Sequence, residues 1–331
     1  MQRSFVPSIS VAAPRIIRSN IRTRALPPSI ASLFSKNIVD IIHTLKNPDD
    51  VFEVTMDLGK PPSIRRLVEG DIPISMYPVT REDLDTVLRH TGAIDSKNRT
   101  GIDGTLHRIS AILNAKNEIA GLTVRIGRDV HGIAFPLHKT LKTDDSLLIV
   151  GKPGSGKTSL LRDIARTLSD DYKKRVIIVD KSGEIGGNGT IAHESIGSAR
   201  RLVVPRGSSQ HDVMIEAVEN HTPDVIIVDE ISTILETRAC QTINERGIRL
   251  IATAHGLGPE SIVNNPTLNT LVGGVEAVTV GDISAKSRGG RKIVSERKGN
   301  ATFTKIVEIT ENRKFEVHDT LSVVDAYLKS M

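Results

Sequence analysis

Leu147-Leu148-Ile149-Val150-Gly151-Lys152-Pro153-Gly154-Ser155-Gly156-Lys157-Thr158-Ser159 is the stretch that decides the fold. Its four leading apolar residues read as a buried strand. Leu160, Leu161, Ile164, Ala165 and Leu168, at helical spacing, mark the buried face of a helix directly after it. Between the two, residues 151–158 fit the pattern GxxxxGK[ST], in the strand–turn–helix setting that a phosphate-binding loop requires. The glycines let successive N–H groups turn toward phosphates at the positive end of the following helix. Gly151, Lys152, Pro153, Gly154, Ser155, Gly156, Lys157, Thr158 and Ser159 are then expected to cradle ATP. In that cradle Lys157 reaches the β- and γ-phosphates and Thr158 holds Mg2+.

Outward from this loop, short β-rich runs at 176–179, 202–204, 225–228 and 250–254 alternate with amphipathic helices. That is the pattern of a parallel sheet covered by helices on both faces, hence an α/β core over 141–281. Residues 40–140 read as a smaller α+β domain. It has helices near 38–45, from Thr80 and over about 103–112, and strands at 51–56 and 119–126. Thr80-Arg81-Glu82-Asp83 has capping-box form, with an acid at the third helical position. After residue 281, Lys286, Arg288, Arg291, Lys292, Arg297 and Lys298 face only Glu296; an alternating run at 302–309 and a last helix near 321–328 complete a basic extension over 282–331.

Composition narrows the classes. The 331 residues are 38% hydrophobic and 25% charged, a folded-protein balance, while 3% aromatics leave an aliphatic core and few platforms for stacking single-stranded bases. A single cysteine, Cys240, forms no internal disulfide or CxxC pair. No run reaches the ~18 apolar residues of a membrane helix. The net charge of +5 is unevenly placed: residues 1–39 hold Arg3, Arg15, Arg18, Arg22, Arg24 and Lys36 with no acid, and the remainder carries −1. An acid-free, Arg- and Ser-rich beginning reads as an organellar presequence over 1–39. Its arginine excess leans toward a mitochondrion, and a plastid fits the same composition.

Further chemistry is expected at the strand ends, where open α/β sheets place their sites. Residues 225–228 end in Asp229-Glu230, which assigns Asp229 to Mg2+ and Glu230 to the attacking water as general base. Glu184, following Asp180 after another apolar strand, is a rival base. Thr253 and His255 end a third strand and are placed to sense the γ-phosphate. Arg200, Arg201 and Arg206 flank the 202–204 strand and are candidates to reach a neighbouring subunit's nucleotide, with Arg125 and Arg128 behind them. His193, His211 and His221 have no metal-binding spacing.

The loop, Glu184-Ile185-Gly186-Gly187, the run Gln210 to His221, Val228-Asp229-Glu230-Ile231, Glu245-Arg246-Gly247, Thr253-Ala254-His255-Gly256 and Asn265-Pro266-Thr267-Leu268 resemble the ATPase family that joins the stage III sporulation protein AA to a conserved open reading frame of chloroplast genomes. Asp57-Leu58-Gly59-Lys60-Pro61-Pro62, Pro78-Val79-Thr80-Arg81-Glu82-Asp83-Leu84, Leu106-His107-Arg108-Ile109-Ser110 and Gly121-Leu122-Thr123-Val124-Arg125-Ile126-Gly127-Arg128 extend the likeness over about residues 50–310. The resemblance implies a RecA/AAA-like P-loop NTPase core akin to secretion and pilus-retraction ATPases. It also implies a homo-oligomeric ring, expected to be a hexamer, with His255 as the histidine-box residue. Ser155 and Ser159 stand where Val and Thr are common. Some relatives end in a single-stranded nucleic-acid module with an Arg-x-x-x-His signature, which the sequence to Met331 lacks.

The reading favoured by these residues is a ring ATPase that couples ATP hydrolysis to work on a macromolecular client, expected to be a protein. The runner-up is a nucleic-acid-associated ATPase using the 286–298 strip. A nucleotide-dependent scaffold with negligible turnover is a third class.

Overall fold

The computed structural model describes residues 8–11, 28–45, 51–66, 70–95, 97–205, 207–279, 293–310 and 314–330. They divide into two compact units. One takes residues from Pro28 to Val130 together with Gly186–Ser195. The other takes His131–Ile185, everything from Ile196 onward, and a first strand, β1 (Ser8–Val11). Arg206 and the basic residues Lys286, Arg288, Arg291 and Lys292 lie outside the described residues.

In the smaller unit, α1 (Pro28–Ala31) and α2 (Lys36–Thr44) precede β2 (Val51–Asp57), β3 (Ser63–Arg66), β4 (Gly70–Pro73), α3 (Arg81–Arg89), β5 (Arg99–Gly101), β6 (Arg108–Leu113) and β7 (Ile119–Arg125). The strands form one antiparallel sheet in the order β4-β3-β2-β7-β6-β5. Helix α3 starts as its capping box dictates: Thr80 Oγ1 accepts from Asp83 N, and Asp83 Oδ2 accepts from Thr80 N at 2.8 Å. A cap of this kind contributes about 1 kcal/mol. Leu84 and Val87 of α3 pack with Val54, Met56, Ile109, Leu122 and Val124.

One expectation changes here. The helix expected over about 103–112 is instead strand β6, paired with β7 across a turn in which Asn114 Oδ1 accepts from Lys116 N and Glu118 N. Cross-strand pairing outweighs the local helical spacing. Within the stretch read as a presequence, residues 8–11 and 28–39 are described. Ile30, Leu33 and Phe34 are buried in this unit's core, and β1 pairs with the last strand of the other unit.

The larger unit runs α4 (His138–Leu141), β8 (Leu147–Gly151), α5 (Lys157–Arg166), β9 (Val176–Asp180), β10 (Arg200–Val203), α6 (Gln210–His221), β11 (Val225–Ile231), α7 (Ile234–Glu245), β12 (Arg249–Ala254), α8 (Pro259–Val263), β13 (Val275–Thr279), β14 (Ile293–Arg297), β15 (Lys305–Ile309), β16 (Phe315–Asp319) and α9 (Thr320–Ser330). Its main sheet has the order β1-β16-β15-β8-β12-β11-β9-β10. From β15 to β10 every pairing is parallel, and β16 and β1 join antiparallel at one edge. Strands β8, β9 and β12 are buried at every position, which is why β8 and β9 read as continuous apolar runs rather than alternating ones. On one face Val213, Met214 and Ala217 of α6 and Cys240 and Ile243 of α7 pack against Val179, Ile226, Val228 and Leu250. The parallel register brings Gly151, Asp180, Asp229 and Ala254 to one sheet edge.

Candidate active site

The phosphate loop closes by local rules. Gly156, with φ +97°, is the N-cap of α5 in a left-handed conformation that an L residue adopts only with strain. Gly151, at φ +155°, has no room for a side chain, since a Cβ there meets the Ile309 carbonyl at 3.0 Å. Its N–H donates to Gly256 O at 3.0 Å, which ties the loop to the segment after β12. The Lys157 ammonium donates to Gly151 O at 2.7 Å and to Lys152 O at 3.1 Å. Burial lowers the pKa of Lys157 from its ordinary value, and the charges of Asp229 and Glu230 oppose that shift. Ser155 Oγ is buried with no hydrogen-bond partner among the described residues. An orphaned hydroxyl inside a loop of this shape fits an anionic ligand rather than a closed structural turn.

Opposite the loop, β11 bulges. Val228 pairs with Ala252, but Ile231 pairs with Ala254, so β11 carries one residue more. Glu230 takes φ +22°, a strained value that costs about 1–3 kcal/mol for a non-glycine residue and marks sites held for a purpose. It is the one exposed residue of its strand, and its Oε1 lies 3.0 Å from His255 Nε2. Thr253 fixes the turn: its hydroxyl donates to Asp229 Oδ1 at 3.3 Å and accepts from Glu230 N at 3.0 Å.

Burial, followed by repulsion from Glu184 and Asp180, raises the Asp229 pKa to about 7 from an ordinary 3.8. A buried carboxylate at the end of β11, under the added negative charge of Glu184 and Asp180, fits a divalent cation held by Asp229. Because the folded-state value is the higher one, Asp229 supports folding below its ordinary value, and that support is lost as pH rises through about 7. Asp229→Asn, neutral and still able to accept from Thr253, is therefore expected to melt several degrees above the wild type at about pH 8 without divalent cations, and near it at about pH 4. Thermal melts at the two pH values check this; equal differences at both would remove the repulsion from the account.

The sequence-derived residues do not all meet. Lys157, Thr158, Asp229, Glu230, Thr253 and His255 share the loop and its edge, and Glu184 stands close enough for its charge to act on Asp229. Glu184 N donates to Asp180 Oδ1 at 3.1 Å. Arg200 and Arg201 are the first two residues of β10 rather than its flanks. They pair with Ile177 and Ile178, below Asp180, which pairs with Val203. In the smaller unit, Arg128 Nη2 donates to Val51 O at 2.6 Å, and Arg125 is exposed on β7.

Two buried donors escaped sequence reasoning. Arg162, one turn into α5, donates to Ile185 O at 2.8 Å and Glu184 O at 2.6 Å, so the phosphate helix holds the Glu184 turn. Gln210, at the start of α6, donates to the carbonyls of Asp229 and Glu230. Both act on backbone atoms about twenty residues away. The signal available was that each is a long polar residue beside helical core positions.

Known proteins bear on this arrangement. The chain is 50% identical over 85% of its length to "Protein SEEDLING PLASTID DEVELOPMENT 1" of Arabidopsis thaliana, and 47% identical over 82% to "Uncharacterized protein ycf45" of Porphyra purpurea. It spans only 41% of the first and 48% of the second. Among solved structures, the ATPase DotB of Legionella pneumophila superposes with TM-score 0.52 at 13% identity, covering 88% of this chain and 85% of that one. The pilus retraction motor PilT with bound ADP gives TM-score 0.54 at 12% identity, covering 85% and 84%. At such identities the likeness speaks to the fold, which is that of the P-loop ATPases. The sequence model of one family, "Sporulation stage III, protein AA", matches residues 31–300, and the chain belongs to that family.

Proposed function

We propose that the chain is a Mg2+-dependent ATPase that works as a homo-oligomeric ring, a hexamer, on a macromolecular client inside a plastid. The observation that carries the hydrolytic reading is the phosphate loop facing a bulged Asp229-Glu230 pair whose acidic side chains are held apart, one buried on Thr253 and one exposed on His255. Lys157 leaves its loop carbonyls for the β- and γ-phosphates. Glu230 orients and deprotonates water, with His255 holding its carboxylate from the next strand. Thr158 and Asp229 would hold the Mg2+, which offsets phosphate charge when bound.

The plastid address rests on the acid-free, arginine-rich beginning together with the printed name of the Arabidopsis relative, which favours a plastid over the mitochondrion that the arginine excess suggests. Processing ahead of Pro28 keeps Ile30, Leu33 and Phe34 in their core, while it uncovers the outer edge of β16. Work on a client is supported by the likeness to a retraction motor in fold.

Ring action has its own test. A subunit in this class completes its neighbour's site with an arginine, and such a finger contributes on the order of 10³ to 10⁵ in rate. Activity per subunit is expected to rise with protein concentration. Mixing Arg201→Ala with Lys157→Ala subunits is expected to restore part of the lost activity, because some interfaces then pair an intact loop with an intact arginine. Full activity in a concentration-independent monomer would remove the ring from this reading.

A further inference from the structure

The bulge in β11 takes backbone groups out of the sheet, and each must find a partner. On one side the β9 ladder ends at the pair Val228 and Val179. On the other, Asp229 and Glu230 have no register partner in β12. Glu230 N turns to the Thr253 hydroxyl instead, at 3.0 Å. The two carbonyls turn to one side chain: Gln210 Nε2 donates to Asp229 O and to Glu230 O, at 3.3 Å each. Gln210 is 2% exposed and sits in the first turn of α6, whose Val213, Met214 and Ala217 are anchored in the core. Because both contacts are carbonyl oxygens, the amide nitrogen is the end that faces them.

We infer that Gln210 is a positioning residue for hydrolysis: its amide clamps the bulge that aims Glu230 at the nucleotide edge, without touching nucleotide itself. This rests on the reading of Glu230 as the base. A strained φ persists only where its surroundings over-determine it, and Gln210 supplies the fastening on the carbonyl side as Thr253 does on the N–H side. Without that donor β11 is free to settle toward a regular ladder, and a shift of one residue turns the Glu230 side chain to the opposite face of the sheet. Lys157, Thr158 and the rest of the loop lie on other elements and keep their hold on ATP.

The test uses the full chain and its Gln210→Ala, Gln210→Met and Gln210→Glu variants, with ATP binding, steady-state hydrolysis and melting temperature measured on each. Methionine keeps the volume and removes the donor, so it carries the test if the alanine variant is unstable. The expected result is a fall in kcat on the order of 10²-fold, the scale of a misplaced catalytic group, with ATP affinity unchanged. Gln210→Glu adds a signature that a filler residue would not give. A protonated acid still donates to one carbonyl, whereas a carboxylate donates to neither and repels both. Its activity relative to wild type is therefore expected to fall as pH rises.

Wild-type kcat in both Gln210→Ala and Gln210→Met would overturn the inference. So would a parallel loss of ATP binding and hydrolysis with a flat pH ratio for Gln210→Glu. Glu230→Gln, measured alongside, separates the two levels: if it hydrolyses ATP normally, the base assignment fails, whereas if it is inactive and the Gln210 variants are not, only the clamp fails.

Discussion

Lys157→Ala is expected to lose nucleotide binding while keeping its fold. The ammonium sits in a loop whose backbone offers phosphate neutral N–H donors, so removing it takes away the charge expected to compensate the β- and γ-phosphates. Truncating one partner of a desolvated charge pair costs about 2–5 kcal/mol, a loss in affinity of roughly 30-fold to several thousand-fold. The fold is spared because the hydrogen bonds of the Lys157 ammonium to Gly151 O and Lys152 O lie in a loop fastened separately by Gly151 N to Gly256 O and by Ser155 N to Lys152 O. Equilibrium binding of ATP with Mg2+, read beside a melting curve, checks both halves. Wild-type affinity in the variant would remove the phosphate-loop assignment, and with it the proposed function.

The parts of this site that were legible in the sequence are those whose geometry is local. The loop between β8 and α5 is a single continuous motif, so its spacing alone implies the cradle. Val176–Val179 of β9 and Val225–Val228 of β11 are buried throughout and therefore appear as uninterrupted Val and Ile, with their chemistry placed where the apolar run stops. Half-buried strands of the smaller unit are less distinct. In Arg108–Leu113 the apolar residues Ile109, Ile112 and Leu113 stand at helical spacing, yet Ile112 is 51% exposed and the segment is a hairpin strand. There the pairing with β7, together with the Asn114 turn, outweighs local pattern.

What the sequence hides is anything that depends on a side chain reaching distant backbone. Arg162 and Gln210 look like ordinary polar positions on amphipathic helices, because a carbonyl acceptor carries no residue identity to recognise. The bulge at Asp229 and Glu230 is equally silent, since it exists only as a mismatch in register with β12. The excursion of Gly186–Ser195 into the smaller unit has a faint trace in the Gly186-Gly187 pair. Gly187 packs against the Thr105 carbonyl, and that contact is set by tertiary structure.

Glu230→Gln is expected to bind ATP as tightly as wild type and to hydrolyse it on the order of 10²- to 10⁴-fold more slowly, the range associated with losing a positioned base. Glutamine keeps the length of the side chain and can still meet His255, so the backbone strain and the loop are unchanged while the proton acceptor disappears. The structure makes the comparison with Glu184 pointed. Glu230 is exposed at the sheet edge on a strained residue, paired only with the exposed His255 among the contacts of its side chain described here. Glu184 sits in a turn whose amide is fastened to Asp180 and whose carbonyl is fastened to Arg162. Its charge already acts on Asp229, so Glu184→Gln relieves repulsion at the cation-binding carboxylate and is expected to alter the Mg2+ dependence of activity more than the rate at saturating Mg2+. Single-turnover hydrolysis at saturating ATP and Mg2+, measured for both variants, separates the roles. A trapped ATP complex from Glu184→Gln alone, with Glu230→Gln turning over normally, would transfer the base to Glu184 and leave Glu230 as the partner that positions His255.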